Sequence, residues 1–397
     1  MDIANRKPML DSDTHCIEHP TVWTDRLPAS WGDRRMHIAY DAAQDREFWC
    51  LDDTQVNAGW HNAYFGAAGD TVQERRYPRR QADVSPVCFD PKARLALMDE
   101  WGVRAAVLYP NGAGFSLEPF LNYPDPEVSA AHCSAYNDFL LEDWVGAAPG
   151  RFIPMATVPY WDVERTVREI ERIAGKGYGG FVMTGAPQLH GQPYLRDPHW
   201  DPMWSAAQAA ELPIAFHVAN GDVQSHLRKD ASPEVEDILE SRVGFAICMD
   251  NCMQTSDLLL SGVLGRFPKL RFVISESGVG WVPFMLENLD ERFKRQRIRL
   301  PEFDGLLPSE LFRRQVYVNC FYEEIQPYHL DWCGEDNLMF QTDVPHPTGF
   351  YMSEGADLVE DSIAPCMAAL DDVRANKILW DNGARLYAPA LALAVAR

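Results

Sequence analysis

From about residue 90 onward the chain alternates short apolar runs with longer stretches whose apolar residues recur at helical spacing, and this restricts the fold severely. Asp90-Pro91 opens a helix running to Trp101, with Asp90 at the N-cap and Pro91 at the first helical position, where its missing N–H costs nothing. Gly102 ends it, and residues 104–109 read as a buried strand. An amphipathic helix is predicted over 127–147, and the pair then recurs. Strands at 152–158, 180–184, 213–217, 270–275 and 315–320 are followed by helices at 162–176, 200–211, 243–267, 283–299 and 325–333. A last strand falls at 337–342, and residues 9–15 supply the first. Parallel strands need a crossover long enough for a helix, so this rhythm predicts a parallel sheet. Eight units favour closure into an α/β fold of the (β/α)8 TIM-barrel type. An open doubly wound sheet would carry a Gly-rich phosphate loop after its first strand, and none follows residue 15.

Residues 18–88 are too long for an ordinary connection between a strand and its helix. Within them Met36–Tyr40 and Glu47–Leu51 predict a hairpin. Residues 69–85, with the charge run from Glu74 to Arg80, predict a flexible solvated loop. The stretch is read as an insertion within one domain spanning 1–397, placed at the active-site end as a lid or subunit contact.

The formal charge of −22 argues against nucleic acid or an anionic membrane surface as partner. Nine cysteines without a CxxC pair suit reduced, buried thiols. There is no apolar signal core at the N-terminus and no run long enough to span a bilayer. The expectation is a cytoplasmic protein acting on a small molecule.

Four predicted strands end in polar side chains: His15, His217, Glu276 and Asp343. Burying such groups without a partner costs several kcal/mol, roughly. In a barrel all strand ends converge on one face, which is where catalytic residues gather. Asp13 and His15, two apart, point to the same side of the first strand. Two imidazoles with one or two carboxylates suit a single divalent metal, with zinc expected first and manganese or iron as alternatives. Such an ion activates water, and a nearby carboxylate can move a proton. Taken singly, His217 reads as a core histidine and Asp343 as a turn opener. Their joint occurrence favours the metal. His19, His37, His61, His132, His190 and His199 are expected to be ordinary loop or core histidines.

Several motifs at barrel spacing resemble those of the amidohydrolase-related family, in its aminocarboxymuconate-semialdehyde-decarboxylase-like branch. They are Leu10-Asp11-Ser12-Asp13-Thr14-His15, Asp197-Pro198-His199-Trp200-Asp201-Pro202-Met203-Trp204, Arg266–Phe272, Thr342-Asp343-Val344-Pro345-His346-Pro347 and the closing Lys377–Tyr387. The resemblance implies a (β/α)8 barrel holding one divalent metal on Asp13, His15, His217 and Asp343, and a homodimer or higher oligomer. Similar enzymes are non-oxidative decarboxylases, carbon–carbon bond hydrolases, hydratases or lactonases. The chain departs from that pattern twice. Asp13-Thr14-His15 replaces the usual His-x-His, and Glu276 stands where family decarboxylases place a functional His.

A carboxylate beside metal-bound water suits general-base work, which leans the expectation towards hydrolysis. The first reading is a metal-dependent hydrolase of a C–N or C–C bond in a small aromatic or cyclic acid. Its catalytic residues would be Asp343, Glu276 and His217, with Asp13 or Glu18 assisting the metal. Tyr109, Asn111, Trp281, Asn319 and His346 would line the pocket. The alternatives are a non-oxidative decarboxylase using the same site, with Asp343 protonating the ring carbon, and a non-catalytic binding barrel.

Overall fold

The computed structural model describes residues 8–67, 77–111, 118–222, 236–347, 349 and 357–392. Eight parallel strands follow one another around a barrel: β1 (Met9–His15), β5 (Val103–Tyr109), β6 (Phe152–Thr157), β7 (Gly180–Val182), β8 (Ile214–His217), β9 (Phe272–Ser275), β10 (Val316–Cys320) and β11 (Leu338–Phe340). The seam between β11 and β1 is closed differently from the other joints. Ser12 Oγ donates to the Phe340 carbonyl (2.7 Å), the Thr342 amide to Asp11 Oδ1 (2.9 Å) and the Asp343 amide to the Asp13 carbonyl (2.9 Å). The predicted last strand therefore stops at Phe340. Thr342 spends its amide on a side chain rather than on a ladder.

The strands are apolar on both faces because both are covered. Along β5, Ala105, Val107 and Tyr109 point into the barrel and pack with Leu10, Ile153, Met155, Val182, Ala215, Val273 and Met339. The intervening Ala106 and Leu108 pack outward among the helices, as a period of two requires. Burying each large aliphatic or aromatic side chain contributes about 1.5–3 kcal/mol.

The surrounding helices are α1 (Pro91–Trp101), α2 (Pro126–Phe139), α3 (Val163–Ile173), α4 (Asp201–Ala209), α5 (Glu236–Leu260), α6 (Trp281–Gln296), α7 (Pro308–Gln315) and α8 (Pro327–Cys333). Asp90, Asp125 and Asp162 cap α1, α2 and α3 by accepting from backbone amides of the first turn. Gly102, at φ 69°, closes α1 in the left-handed conformation. The helix predicted over 243–267 starts earlier and is broken at Gly262 (φ 78°), after which residues 263–266 form a separate turn. Ser261 Oγ accepts the Val263 amide and starts that turn.

The insertion contains the predicted hairpin, β2 (His37–Asp41) against β3 (Arg46–Leu51), with Tyr40 opposite Glu47. A third antiparallel strand, β4 (Thr54–Ala58), was not anticipated. Of the predicted flexible loop, residues 69–76, including Glu74, Arg75 and Arg76, lie outside the described residues. The insertion is fastened to the barrel by named bonds. The Trp23 indole donates to the His132 carbonyl and the Met36 amide to His132 Nε2. The Tyr64 and Phe65 amides converge on the Pro345 carbonyl. Among the described residues no helix is long and apolar enough to cross a membrane.

Candidate metal centre

The C-terminal ends of β1, β8, β9 and β11 bring six side chains together at one end of the barrel. Ligand atoms of Asp13, His15, His217 and Glu276 lie within 4.8 Å of one another, as do those of His15, Glu276, Asp343 and His346. All six residues are buried. Asp13 and His15 share a face of β1, and His217 is the last residue of β8. Glu276 and Asp343 follow their strands in the left-handed region, at φ 56° and 59°. A non-glycine residue held there costs on the order of 1–3 kcal/mol, and such strain clusters at functional sites.

Hydrogen bonding sets the tautomers. His15 Nδ1 lies 3.0 Å from the Pro110 carbonyl and His217 Nδ1 3.0 Å from the Val218 carbonyl. A carbonyl only accepts, so each Nδ1 carries the proton and each neutral ring turns its Nε2 lone pair inward. His15 Nε2 faces Asp343 Oδ1 at 3.1 Å and Asp13 Oδ1 at 3.5 Å. His217 Nε2 faces Asp13 Oδ2 at 3.3 Å and Glu276 Oε2 at 3.4 Å. Lone pairs thus confront carboxylate oxygens around a common centre, an arrangement suited to a cation. A proton on the first ring is a poor candidate. Burial, with His346 and His217 alongside, pushes His15 down to about 3. Burial and the charges of Asp343 and Asp11 push Asp13 well above the carboxylate range. The donor set fits one divalent cation, with Nδ1–H bonds orienting its imidazole ligands as at many metal sites.

The other predicted residues divide. His346 stacks on His15 (centroids 3.7 Å apart), with Nδ1 3.3 Å from Asp343 Oδ1. Asn111 gives its Nδ2–H to the His61 carbonyl, so its Oδ1 accepts from His346 Nε2 at 2.9 Å. Its amide donates to Glu18 Oε1 (2.8 Å), which places Glu18 behind the cluster. Tyr109 packs under the histidines, its ring 5.0 Å from His217 and its hydroxyl 2.9 Å from Ser275 Oγ. Asn319 lies in the barrel interior, bonded to the Ser12 carbonyl and Ser275 Oγ. Trp281 lines a cavity beside Glu276, whereas Asn319 and Tyr109 do not.

Sequence reading missed the rest of that cavity, including Phe245, Cys248, Tyr322 and Glu323. Tyr322 and Glu323 follow the seventh barrel strand, β10, and position after a strand end was the available signal. Phe245 sits in an apolar helix and carried none. Of the six histidines expected to be ordinary, none belongs to either donor group. His132 is a satisfied core residue, bonded at both nitrogens.

Comparison with known proteins identifies the fold and the family. A gamma-resorcylate decarboxylase from Polaromonas sp. is 25% identical over 313 residues, 74% of this chain and 86% of that one. An amidohydrolase structure from Mycobacterium avium subsp. paratuberculosis superposes with a TM-score of 0.75 at 22% identity, covering 96% of this chain and 99% of the other. The 5-carboxyvanillate decarboxylase of Sphingomonas paucimobilis gives 0.62 at 22% identity, over 96% and 98%. A dihydroxybenzoic acid decarboxylase from Polaromonas sp., solved with manganese and 2-nitroresorcinol, gives 0.59 at 18% identity, over 96% and 97%. The amidohydrolase family pattern itself matches residues 13–388, from the first carboxylate of the donor cluster to the end of the barrel. The chain is an enzyme of the amidohydrolase family.

Proposed function

We propose that this enzyme is a metal-dependent, non-oxidative decarboxylase of an aromatic acid. The observation that carries the reading is the gamma-resorcylate decarboxylase relative, aligned over three-quarters of the chain. The hydrolytic reading drawn from Glu276 gives way to the lyase alternative. The binding-barrel reading has no support from a buried cluster of six donors.

The metal is proposed to sit on Asp13, His15, His217 and Asp343. Manganese is preferred to zinc because carboxylate oxygens make up half of that set, and such ligands suit manganese. Bound there, the cation would polarise a carboxylate and a neighbouring hydroxyl oxygen of the substrate. The protein groups do the rest. Asp343, anchored by its amide to the Asp13 carbonyl, delivers a proton to the ring carbon bearing the carboxylate. The carbon–carbon bond then breaks, its electron pair returns to the ring, and carbon dioxide leaves. Glu276 stands between the cluster and the cavity and excludes a second anion from the entrance. Asn111 holds His346, which packs against His15 and keeps that ring in place. We further propose that the insertion walls the site, because the Asn111 and Pro345 contacts tie it there, and that the chain works as a cytoplasmic homo-oligomer.

The test is turnover of hydroxybenzoates in deuterium oxide by enzyme reconstituted with manganese or zinc. The reading expects carbon dioxide and one carbon-bound deuterium at the vacated position. Label from oxygen-18 water in a product carboxylate, without carbon dioxide, would restore hydrolysis.

A further inference from the structure

We propose that the acid processed here carries a hydrophobic ring substituent rather than a second carboxylate, and that the cavity beside Glu276 receives it. The inference rests on the decarboxylase reading and adds the shape of the substrate beyond its carboxylate. The cavity holds about 470 Å³. That lies within the roughly 300–1,000 Å³ that houses drug-sized ligands, and so has room beyond a single-ring acid. Glu276 belongs both to its lining and to the donor cluster, where it lies 3.4 Å from His217, so the cavity adjoins the cluster through that residue.

The walls come from three places: Phe245 and Met249 from α5, Trp281 from α6, and Phe321 and Tyr322 from the loop after β10. Phe245 and Tyr322 remain 67% and 66% exposed, an unusual state for aromatic side chains flanking one cleft. A hydrophobic substituent seated between them removes that surface from water, whereas a polar one gains nothing there. The cavity also holds Glu323, whose carboxylate is fixed in place by backbone amides. Its Oε1 accepts the Val279 amide (2.6 Å) and its Oε2 the Phe321 amide (3.2 Å), tying together the two loops that shape the wall. A second substrate carboxylate would meet two glutamates across an apolar space, where charge repulsion is weakly screened.

The experiment uses the manganese-reconstituted full chain and a series of 2-hydroxybenzoates with hydrogen, methyl, propyl or phenyl substituents, alongside a carboxylate-bearing member. Binding is read by calorimetry and turnover by kcat/KM. Each buried methylene should improve both about fourfold, and the carboxylate-bearing member should bind more weakly than the parent. In Phe245→Ala/Tyr322→Ala the dependence on substituent size should flatten. Should no acid be decarboxylated, the functional reading falls. Binding that still tightens with substituent size in the native enzyme, and not in the double variant, upholds the cavity assignment even then. A flat or declining series, or tighter binding of the dicarboxylate, overturns it.

Discussion

His132 couples the stability of this enzyme to pH at a point remote from the metal cluster. The ring is fully buried on α2, donates from Nδ1 to the Val128 carbonyl (2.8 Å) and accepts the Met36 amide at Nε2 (3.0 Å). The second bond requires the neutral imidazole, because a protonated Nε2 cannot accept, and it is the bond that ties the insertion to the barrel. Burial pushes the group from its ordinary 6.5 to about 4. Because the folded value lies below the unfolded one, its contribution is complete above pH 6.5 and is lost as pH falls towards 4. At about 1.36 kcal/mol per pH unit, that gap is worth roughly 3 kcal/mol. The assay is urea unfolding of native protein and His132→Gln at pH values from 7.5 to 4.5. The variant loses a roughly constant 1–2 kcal/mol at neutral pH from the broken bonds. Its stability should then decline less steeply with acidification, so that the two curves meet and cross, with a relative change of up to about 3 kcal/mol. Other titrating groups cancel in the difference. Parallel curves would show that His132 is not held neutral and would refute the account of this joint.

At the cluster, His217→Ala and Asp343→Asn should each lower bound metal below one per chain by elemental analysis. Each should also reduce decarboxylation by about a thousandfold or more, the scale on which electrostatic catalysis operates. At Gly180, where φ is 154° and an added Cβ would lie 2.2 Å from the Pro213 carbonyl, Gly180→Ala must push β7 away from β8. A loss of 3 kcal/mol or more in chemical denaturation is expected, on the order of a severe overpacking defect.

What the sequence made legible was set by local physics. Strands buried on both faces are written as unbroken apolar runs, and Asp90, Pro91 and Gly102 punctuate α1 visibly, so the barrel could be read from pattern. The residues at 13, 15, 217, 276 and 343 stood out for the opposite reason: each is a charged or polar group at the end of a run that has no use for it. The structure brings all five together with His346. The seam was invisible, because Ser12, Asp11 and Thr342 close it with side-chain bonds across more than 300 residues. The apolar cavity was equally hidden. Phe245 and Met249 obey the same helical spacing as any core-facing residue, and nothing in a periodicity states which stretch of a helix overhangs an active site.

The substitution of Glu276 for histidine shows where sequence logic led away from the better reading. A carboxylate at a strand end was taken as a general base, since that is the chemistry a lone acid beside activated water performs. In the assembled site Glu276 is not alone. It faces the Nε2 of His217, shares the centre with Asp13 and Asp343, and lines an apolar cavity. The role of a carboxylate among carboxylates depends on which of them meets the substrate, and that is decided by the φ of 56° that turns Glu276 off its strand. An imidazole is still supplied at this corner, but by His346 from the loop after β11, stacked on His15. The side chains surrounding the centre are therefore drawn from β1, β8, β9 and the loop after β11, a gathering that only the folded barrel reveals.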